Sequence, residues 1–388
     1  MAFNESAFPT RWGTNSTTAS TGAFSAIGGD GTAGVGHDLW IPTWSGEVLH
    51  AYDQYNMFEG MVDSRTITSG TTVEFPVTGT IALKDAWEAG EELGGGGSTS
   101  TKFSIGLDRR PIAAHFELDN IDVMIQQFEF RSELARQAGL TLANERDRQI
   151  ARLLVKGAQT ASRMHVRTED PDSVDQAGNG FDDRYGGSAY YLEDGSTGNV
   201  AALAGEAGAL QILAAIEAEL VKCRQLDIPE MGLNVVVNPS MFNQIRRLGI
   251  ASVADATNVF GANGTSPLFG TQTSAPSLAG SLSYMGATIV SSNHLPSGDL
   301  SNDGKDANYL VNATGVEALM FARQGVASIK KQGLKVDTVE DVRRNTNFTV
   351  ASMYSGGGVL RPELCSVVLG DGSITGAQAL YANVESLA

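Results

Sequence analysis

Hydrophobic residues in this chain follow two rhythms, and the switches between them mark out its elements. From Phe128 to Ala158, Leu134, Ala138, Leu142, Ile150, Leu153 and Leu154 recur at helical spacing and predict one long amphipathic helix. Arg131, Glu133, Arg136, Glu145, Arg146, Asp147, Arg148 and Arg152 occupy much of its remaining surface, with Glu133–Arg136 and Glu145–Arg148 as i,i+3 partners. The interior Gly139 is disfavoured by roughly 1 kcal/mol against alanine and marks a place where the helix could bend. Shorter helices are predicted over Glu47–Met61, over Ala201–Leu226, and from Asn238-Pro239 to Gly249. The last has a helix-capping asparagine followed by proline in the first turn. Extended segments are predicted at Leu233–Val237, Ala287–Ser291, Tyr309–Asn312, Val316–Phe321, Val326–Ile329, Leu334–Val342, Phe348–Met353 and Val359–Leu369, with Gly356–Gly358 as punctuation before the last. Helices and strands interleave, which indicates an α+β or α/β core.

Ahead of the long helix lies a different pattern. Arg65–Val77 is rich in Thr, Val, Ile and Phe, as strands are, and Lys102–Leu118 returns as a second extended, partly alternating run. Between them, Lys84–Ser100 carries Trp87, Glu88, Glu91, Glu92 and the glycines Gly94–Gly97, and reads as a flexible tip. A two-stranded ribbon has no second layer and is marginal alone in water. At about 3.3 Å per residue, an arm of roughly eighteen residues would reach about 60 Å, so the expectation is that it lies on another copy of the chain.

Residues 1–45 are rich in Ser, Thr, Gly and Ala with scattered aromatics, and are expected to form an arm that docks on a neighbour. Ser162–Asn199 is acidic and loop-like, Val253–Leu282 is a Gly/Ser/Thr-rich loop, and residues 371–388 form a polar tail. The chain has 388 residues, a net charge of −17 and no Lys/Arg cluster, which argues against sequence-specific DNA binding. An acidic inner surface could still face DNA without holding it. Two cysteines far apart imply no disulfide framework. Neither a signal peptide nor an apolar run of about 20 residues is apparent.

Enzyme chemistry finds no foothold in the motifs. No phosphate-cradling glycine loop stands between a strand and a helix, no GxSxG occurs, and the five histidines are scattered without partners at ligand spacing. Asp299–Gly304 begins like a calcium loop, but its twelfth place is Leu310 where a glutamate is required, so an ordinary turn is expected. Neither a cofactor nor a metal is expected. Lys84 or Lys102 could in principle cross-link to an asparagine of a neighbour, but nothing singles out the desolvated trio such a reaction needs.

Several stretches carry a family resemblance. GEVLHAYDQYNMFEGMVDSRTITSGTTVEFPVTGT (Gly46–Thr80), AGEELGG (Ala89–Gly95), FRSELARQAGLTLANERDRQIARLL (Phe130–Leu154) and the closing run Phe321–Gly370, above all YSGGGVLRPE, resemble the major capsid proteins of T-seven-like short-tailed bacteriophages. The likeness covers most of the chain outside the N-terminal arm, the acidic loop and the tail. It implies the α+β tailed-phage capsid (HK-ninety-seven-like) fold. The implied divisions are an N-terminal arm (1–60), an extended loop (61–118), a peripheral domain with a spine helix (119–164 and 315–370), an acidic loop (165–199), an axial domain (200–314) and a tail (371–388). It also implies hexamers and pentamers in an icosahedral shell, a scaffolding protein, a portal protein, enclosed double-stranded DNA, procapsid expansion, and assembly in the host bacterial cytoplasm with no membrane. An encapsulin-like compartment protein enclosing protein cargo is the alternative on the same fold. For subunit contacts, the expectation pairs Trp87, Glu88, Glu91 and Glu92 with basic residues of a neighbour. These are Arg131, Arg136 and Arg146 on the spine, and Lys330, Lys331 and Lys335 further on.

Overall fold

The computed structural model describes residues 48, 50–52, 56–78, 89, 100–119, 131–164, 182–192, 206–226, 232–254, 281–331 and 334–370. Its elements are best followed from the long helix outward. Helix α1 (Arg131–Ala158) is continuous over 28 residues, close to the predicted span. Its C-terminal half packs on a six-stranded mixed sheet assembled from distant parts of the chain. Those strands are β5 (Ser188–Tyr191), β6 (Asn234–Val237), β7 (Leu282–Tyr284), β8 (Ala287–Ser291), β11 (Val316–Phe321) and β16 (Cys365–Leu369), in the order β5-β16-β11-β6-β8-β7.

Period-two alternation explains why these strands are apolar almost throughout. Val235, Val237, Ala318, Met320 and Val368 point to one face and pack with Ile212, Leu213, Ile216 and Ile245 of α2 (Glu206–Gln225) and α3 (Pro239–Ala254). Val236, Leu319, Phe321, Val367 and Leu369 point to the other and pack with Ile150, Leu154 and Val155 of α1. Helices therefore cover both faces, and neither side of the sheet has use for polar residues.

Two predictions change here. The acidic stretch Ser162–Asn199 contributes β5, which lies parallel to β16 at the sheet's edge, with Ala189 and Tyr190 buried. Helix α3 begins as predicted, with the Ser240 N–H donating to Asn238 Oδ1 at 3.4 Å, but runs through Gly249 to Ala254. The sheet also joins strands from the expected axial segment (200–314) to β11 and β16 from the segment 315–370.

The N-terminal half of α1 meets a thinner layer. Strands β4 (Ile112–Asp119), β13 (Lys335–Asp341) and β14 (Thr346–Met353) form an antiparallel sheet ordered β13-β14-β4. Ile112, Ala114, Phe116, Val336, Ala351 and Met353 line its inner face against Ala135, Ala138 and Leu142. Val48 and Tyr52, which with residues 50 and 51 are helical, join the same cluster. Gly139 is the reason they can. A Cβ there would lie 2.6 Å from both the Ala51 Cβ and the Val48 carbonyl oxygen. The glycine serves close approach of a second segment; the helix stays unbroken.

The predicted ribbon is resolved into parts with separate destinations. Strand β1 (Asp63–Thr66) lies parallel to β12 (Val326–Lys330), which pairs on its other side with β15 (Ser355–Val359). Only β2 (Thr72–Thr78) and β3 (Ser100–Gly106) form the hairpin, seven residues each, while β4 leaves for the sheet under α1. The root of the hairpin has a second layer within its own subunit: Phe75 and Ile105 are buried against Ile67, Ala327, Ile329 and Leu360. An unsupported ribbon of eighteen residues is therefore not what the described chain forms. Gly356–Gly358, expected as punctuation, lies inside β15. A Cβ on Gly357 would lie 2.4 Å from Leu153 Cδ1, and one on Gly356 2.5 Å from the Gly106 carbonyl oxygen. Side chains are excluded because β15 is pressed between the spine helix and the hairpin root. Likewise Val359–Leu369 is two strands, β15 ending at Val359 and β16 starting at Cys365, separated by a 3-10 turn at Pro362–Leu364.

The remaining strands, β9 (Gly298–Asp299) and β10 (Asn312–Ala313), form a two-stranded antiparallel pair. The strand expected at Tyr309–Asn312 is thus a 3-10 turn (Ala307–Tyr309) followed by a short strand.

Candidate assembly surface and the joint beneath it

The expected contact residues fall into three groups. Trp87, Glu88, Glu91 and Glu92 lie outside the described residues, and so does the Arg131 side chain. Arg136, Lys331 and Lys335 are exposed and already engaged within the subunit. Arg136 Nη2 lies 2.7 Å from Glu133 Oε1, Lys335 Nζ lies 2.8 Å from Asp337 Oδ2, and Lys331 Nζ donates to the Gly70 carbonyl at 3.0 Å. Exposed pairs of this kind are worth about 0–1 kcal/mol and can be exchanged for a partner's carboxylate. On the hairpin, Lys102 pairs with Glu74 at 2.8 Å on the surface, an environment unlike the desolvated one that lysine cross-linking requires.

Arg146 is a correction. The sequence groups it with the polar residues of the spine, yet its side chain is completely buried. Nη2 donates to Ser328 Oγ and to the Gly356 carbonyl, both at 2.7 Å, and Nη1 donates to Gln149 Oε1 at 3.0 Å. A side chain held this way inside the subunit does not present itself to a neighbour's glutamates. The signal was present in the spacing: Leu142, Arg146, Ile150 and Leu154 succeed one another four residues apart, so Arg146 sits within the apolar stripe.

Around Arg146 the structure builds a joint that the motif search missed. Asp147, beside it on α1, accepts the backbone N–H groups of Met57 and Phe58 with its two carboxylate oxygens, both at 3.1 Å. It thereby caps a 3-10 turn at Phe58–Gly60 and fixes the segment leading in from the N-terminal side. From that turn, Glu59 accepts hydrogen bonds from the Tyr52 hydroxyl at 2.9 Å and Asn56 Nδ2 at 2.5 Å, and its other oxygen lies 2.6 Å from Lys330 Nζ. Lys330 also sits over the Tyr52 ring, 5.3 Å from its centroid, so this expected contact residue too has a role inside the subunit. At the hairpin root, Asp108 accepts from the Tyr309 hydroxyl at 2.6 Å while its own N–H donates to the Ser355 carbonyl at 3.0 Å.

Burial sets the electrostatics of this joint. Asp147 is pushed up to about 6, chiefly by desolvation and further by Glu59, although its two backbone donors and Arg146 oppose the shift. Asp108 is likewise pushed up to about 6 by desolvation, with Asp306 adding to it and Tyr309 and Arg146 opposing. Burial also raises the Tyr52 and Tyr309 hydroxyls, which therefore remain protonated donors.

The calcium-like stretch is a turn, as expected. Asp299 Oδ1 accepts from the N–H and hydroxyl of Ser301, and Asp303 is taken by Arg152 Nη1 at 2.7 Å. Among the described residues no cluster of His, Cys, Asp and Glu could hold a metal, and no helix is long and apolar enough to cross a membrane.

No family model matches the chain, and no curated protein does. Solved structures do. The capsid of the cyanophage P-SCSP1u is similar over 93% of this chain and 98% of its own, with a TM-score of 0.60 at 20% identity. The mature capsid of bacteriophage PhiM1 is similar over 81% and 86%, with a TM-score of 0.57 at 15% identity. This chain has the tailed-phage capsid fold. The capsid of Ralstonia phage GP4 is a third example, covering 82% of this chain and 93% of its own with a TM-score of 0.50 at 13% identity. In the vocabulary of that HK-ninety-seven-like fold, α1 is the spine helix and β2–β3 the root of the extended loop.

Proposed function

We propose that this chain is the major capsid protein of a short-tailed bacteriophage, assembling as hexamers and pentamers into an icosahedral shell around double-stranded DNA. The observation that carries the reading is the extent of the match: almost the whole of a cyanophage capsid subunit superposes on almost the whole of this chain. Its role is structural. The residue-level resemblance supports the short-tailed group, and with it a scaffolding protein, a portal protein, assembly in the bacterial cytoplasm and expansion from a procapsid. The division into arm, extended loop, peripheral and axial domains is part of the same proposal. So is the pairing of the loop-tip residues Trp87, Glu88, Glu91 and Glu92 with Arg131, Arg136, Lys331 and Lys335 of a neighbour.

Electron microscopy of the purified protein, alone and co-expressed with a scaffold, tests the reading. Closed shells of uniform diameter are expected; persistent monomers under every condition would refute it. Shells that capture an enzyme cargo and exclude DNA would point to an encapsulin-like compartment. Reversing Glu91 and Glu92 to lysine is expected to impair shell formation while leaving the subunit folded. Normal shells from that double variant would remove the tip pairing and leave the capsid reading intact.

A further inference from the structure

The three-stranded sheet under the N-terminal half of α1 ends in a strand with one side unused. In the order β13-β14-β4, β13 pairs with β14 alone among the described residues. Its seven residues, Lys335–Asp341, hold register with β14 without a bulge, and the run contains no proline. An edge so regular offers a row of backbone donors and acceptors to a further strand, whereas edges kept from pairing are commonly short, bulged or broken by proline. Val336 faces the spine helix, so Lys335, Asp337, Val339 and Asp341 alternate onto the outer face. Apolar side chains stand in the open there: Val339 is 63% exposed, and Phe348, opposite it on β14, is 37% exposed.

We propose that β13 is a seam between two copies of this chain, paired antiparallel with its own counterpart about a twofold axis at Thr338. The charges choose that partner. With the axis there, Lys335 stands directly opposite the second copy's Asp341, and Asp341 opposite its Lys335, on the outer face. Val339 lies diagonal to the second copy's Val339, so Phe348, Val339 and their two counterparts form one apolar band across the seam. Moving the axis to Asp337 sets Asp337 against itself, and moving it to Val339 sets Asp337 against Asp341. Both bring like charges together. A slip of one residue would send the outer side chains to the inner face. The other edge strand, β4, bears Glu117 and Asp119 and neither lysine nor arginine, so a second copy of it supplies no such cation.

The seam deepens the capsid reading and rests on it for its place in a shell. A contact about a twofold axis is isologous, whereas the subunits of a hexamer or pentamer ring meet head to tail. The seam therefore belongs between neighbouring rings. One strand edge is small against the roughly 1,000 Å² of a stable pair, so the contact is weak between isolated chains and gains by repetition. Within the subunit Lys335 lies 2.8 Å from Asp337, and Asp341 3.7 Å from Arg344; surface pairs of this kind exchange at little cost. Lys335 then answers to Asp341 and not to the loop tip, whose pairing is left to Arg131, Arg136 and Lys331.

Disulfide trapping tests the seam. Full-length Lys335→Cys and Asp341→Cys chains are oxidised separately and as an equal mixture, both as concentrated unassembled chain and in shells. The native Cys223 and Cys365 are buried and do not compete. The two positions are about 20 Å apart along the strand, and each lies as far from its own counterpart across the seam. A linked dimer is therefore expected from the mixture, and its loss from either variant alone. Asp337→Cys mixed with Val339→Cys, which also stand opposite each other, repeats the test away from the turn that Asp341 holds through the Arg343 N–H. No dimer from either mixture in either state overturns the seam. So does a Lys335→Cys chain that links to itself as readily as the mixture does. A chain that links when unassembled but never forms shells keeps the seam and removes the capsid reading; shells without the link remove the seam alone.

Discussion

The two halves of the spine helix live in different surroundings. Its C-terminal half is one layer of three: Ile150, Leu154 and Val155 press on a sheet whose far face is covered by α2 and α3. Its N-terminal half backs a three-stranded sheet whose other face carries the exposed apolar side chains Val339 and Phe348. One helix therefore joins a sheet covered on both faces to one that keeps an apolar face open. The closed half supplies stability, and the open half presents an apolar surface. Side chains of comparable size should accordingly matter very differently along one helix.

The largest effect is expected in the closed half. Phe321→Ala removes a fully buried ring stacked 6.3 Å from that of Phe58, and should destabilise the subunit by about 3–5 kcal/mol in chemical denaturation. Leu154→Ala and Leu142→Ala sharpen the contrast. Both side chains are buried, and both should lose about 2–5 kcal/mol, with Leu154 nearer the top because its surroundings have less freedom to collapse. Equal losses at the two sites would break the comparison.

Gly139→Ala comes next. Its methyl group would meet the Ala51 Cβ and the Val48 carbonyl at 2.6 Å, so overpacking of about 1–3 kcal/mol is expected, with the helical residues around Val48 and Ala51 displaced first. Faster proteolysis there, with the C-terminal half of α1 still protected, would mark the outcome. Smallest for folding is Val339→Ser on the open face, where the side chain is 63% exposed; the thermal midpoint should barely move, within about 0.5 kcal/mol. Shell yield is the sensitive readout at that position, and a yield equal to wild type would show that the open face is not used.

Much of this fold was legible before any coordinates. The spine helix, β8 and β11 fall at or close to the predicted bounds, because their periodicity is a local property of side chains that must all face one way. The joint was not. Asp147 reads as one more charged residue on a charged helix, and only the arrival of Met57 and Phe58, some ninety positions away, turns it into a cap. Arg146 is legible by its spacing, although arginine is so rarely buried that its charge points the other way.

What the residues determined alone is the set of elements: where the chain can be helical, where it can be extended, and that helices and strands are mixed. Tertiary structure decided the partners. It made a sheet strand of Ser188–Tyr191, drew β15 between a helix and a hairpin through three glycines, and seated the hairpin root on its own subunit. Periodicity records which side of a segment avoids water, but not which distant segment will cover it. That choice depends on contacts between residues far apart in sequence, and it is settled only when they meet.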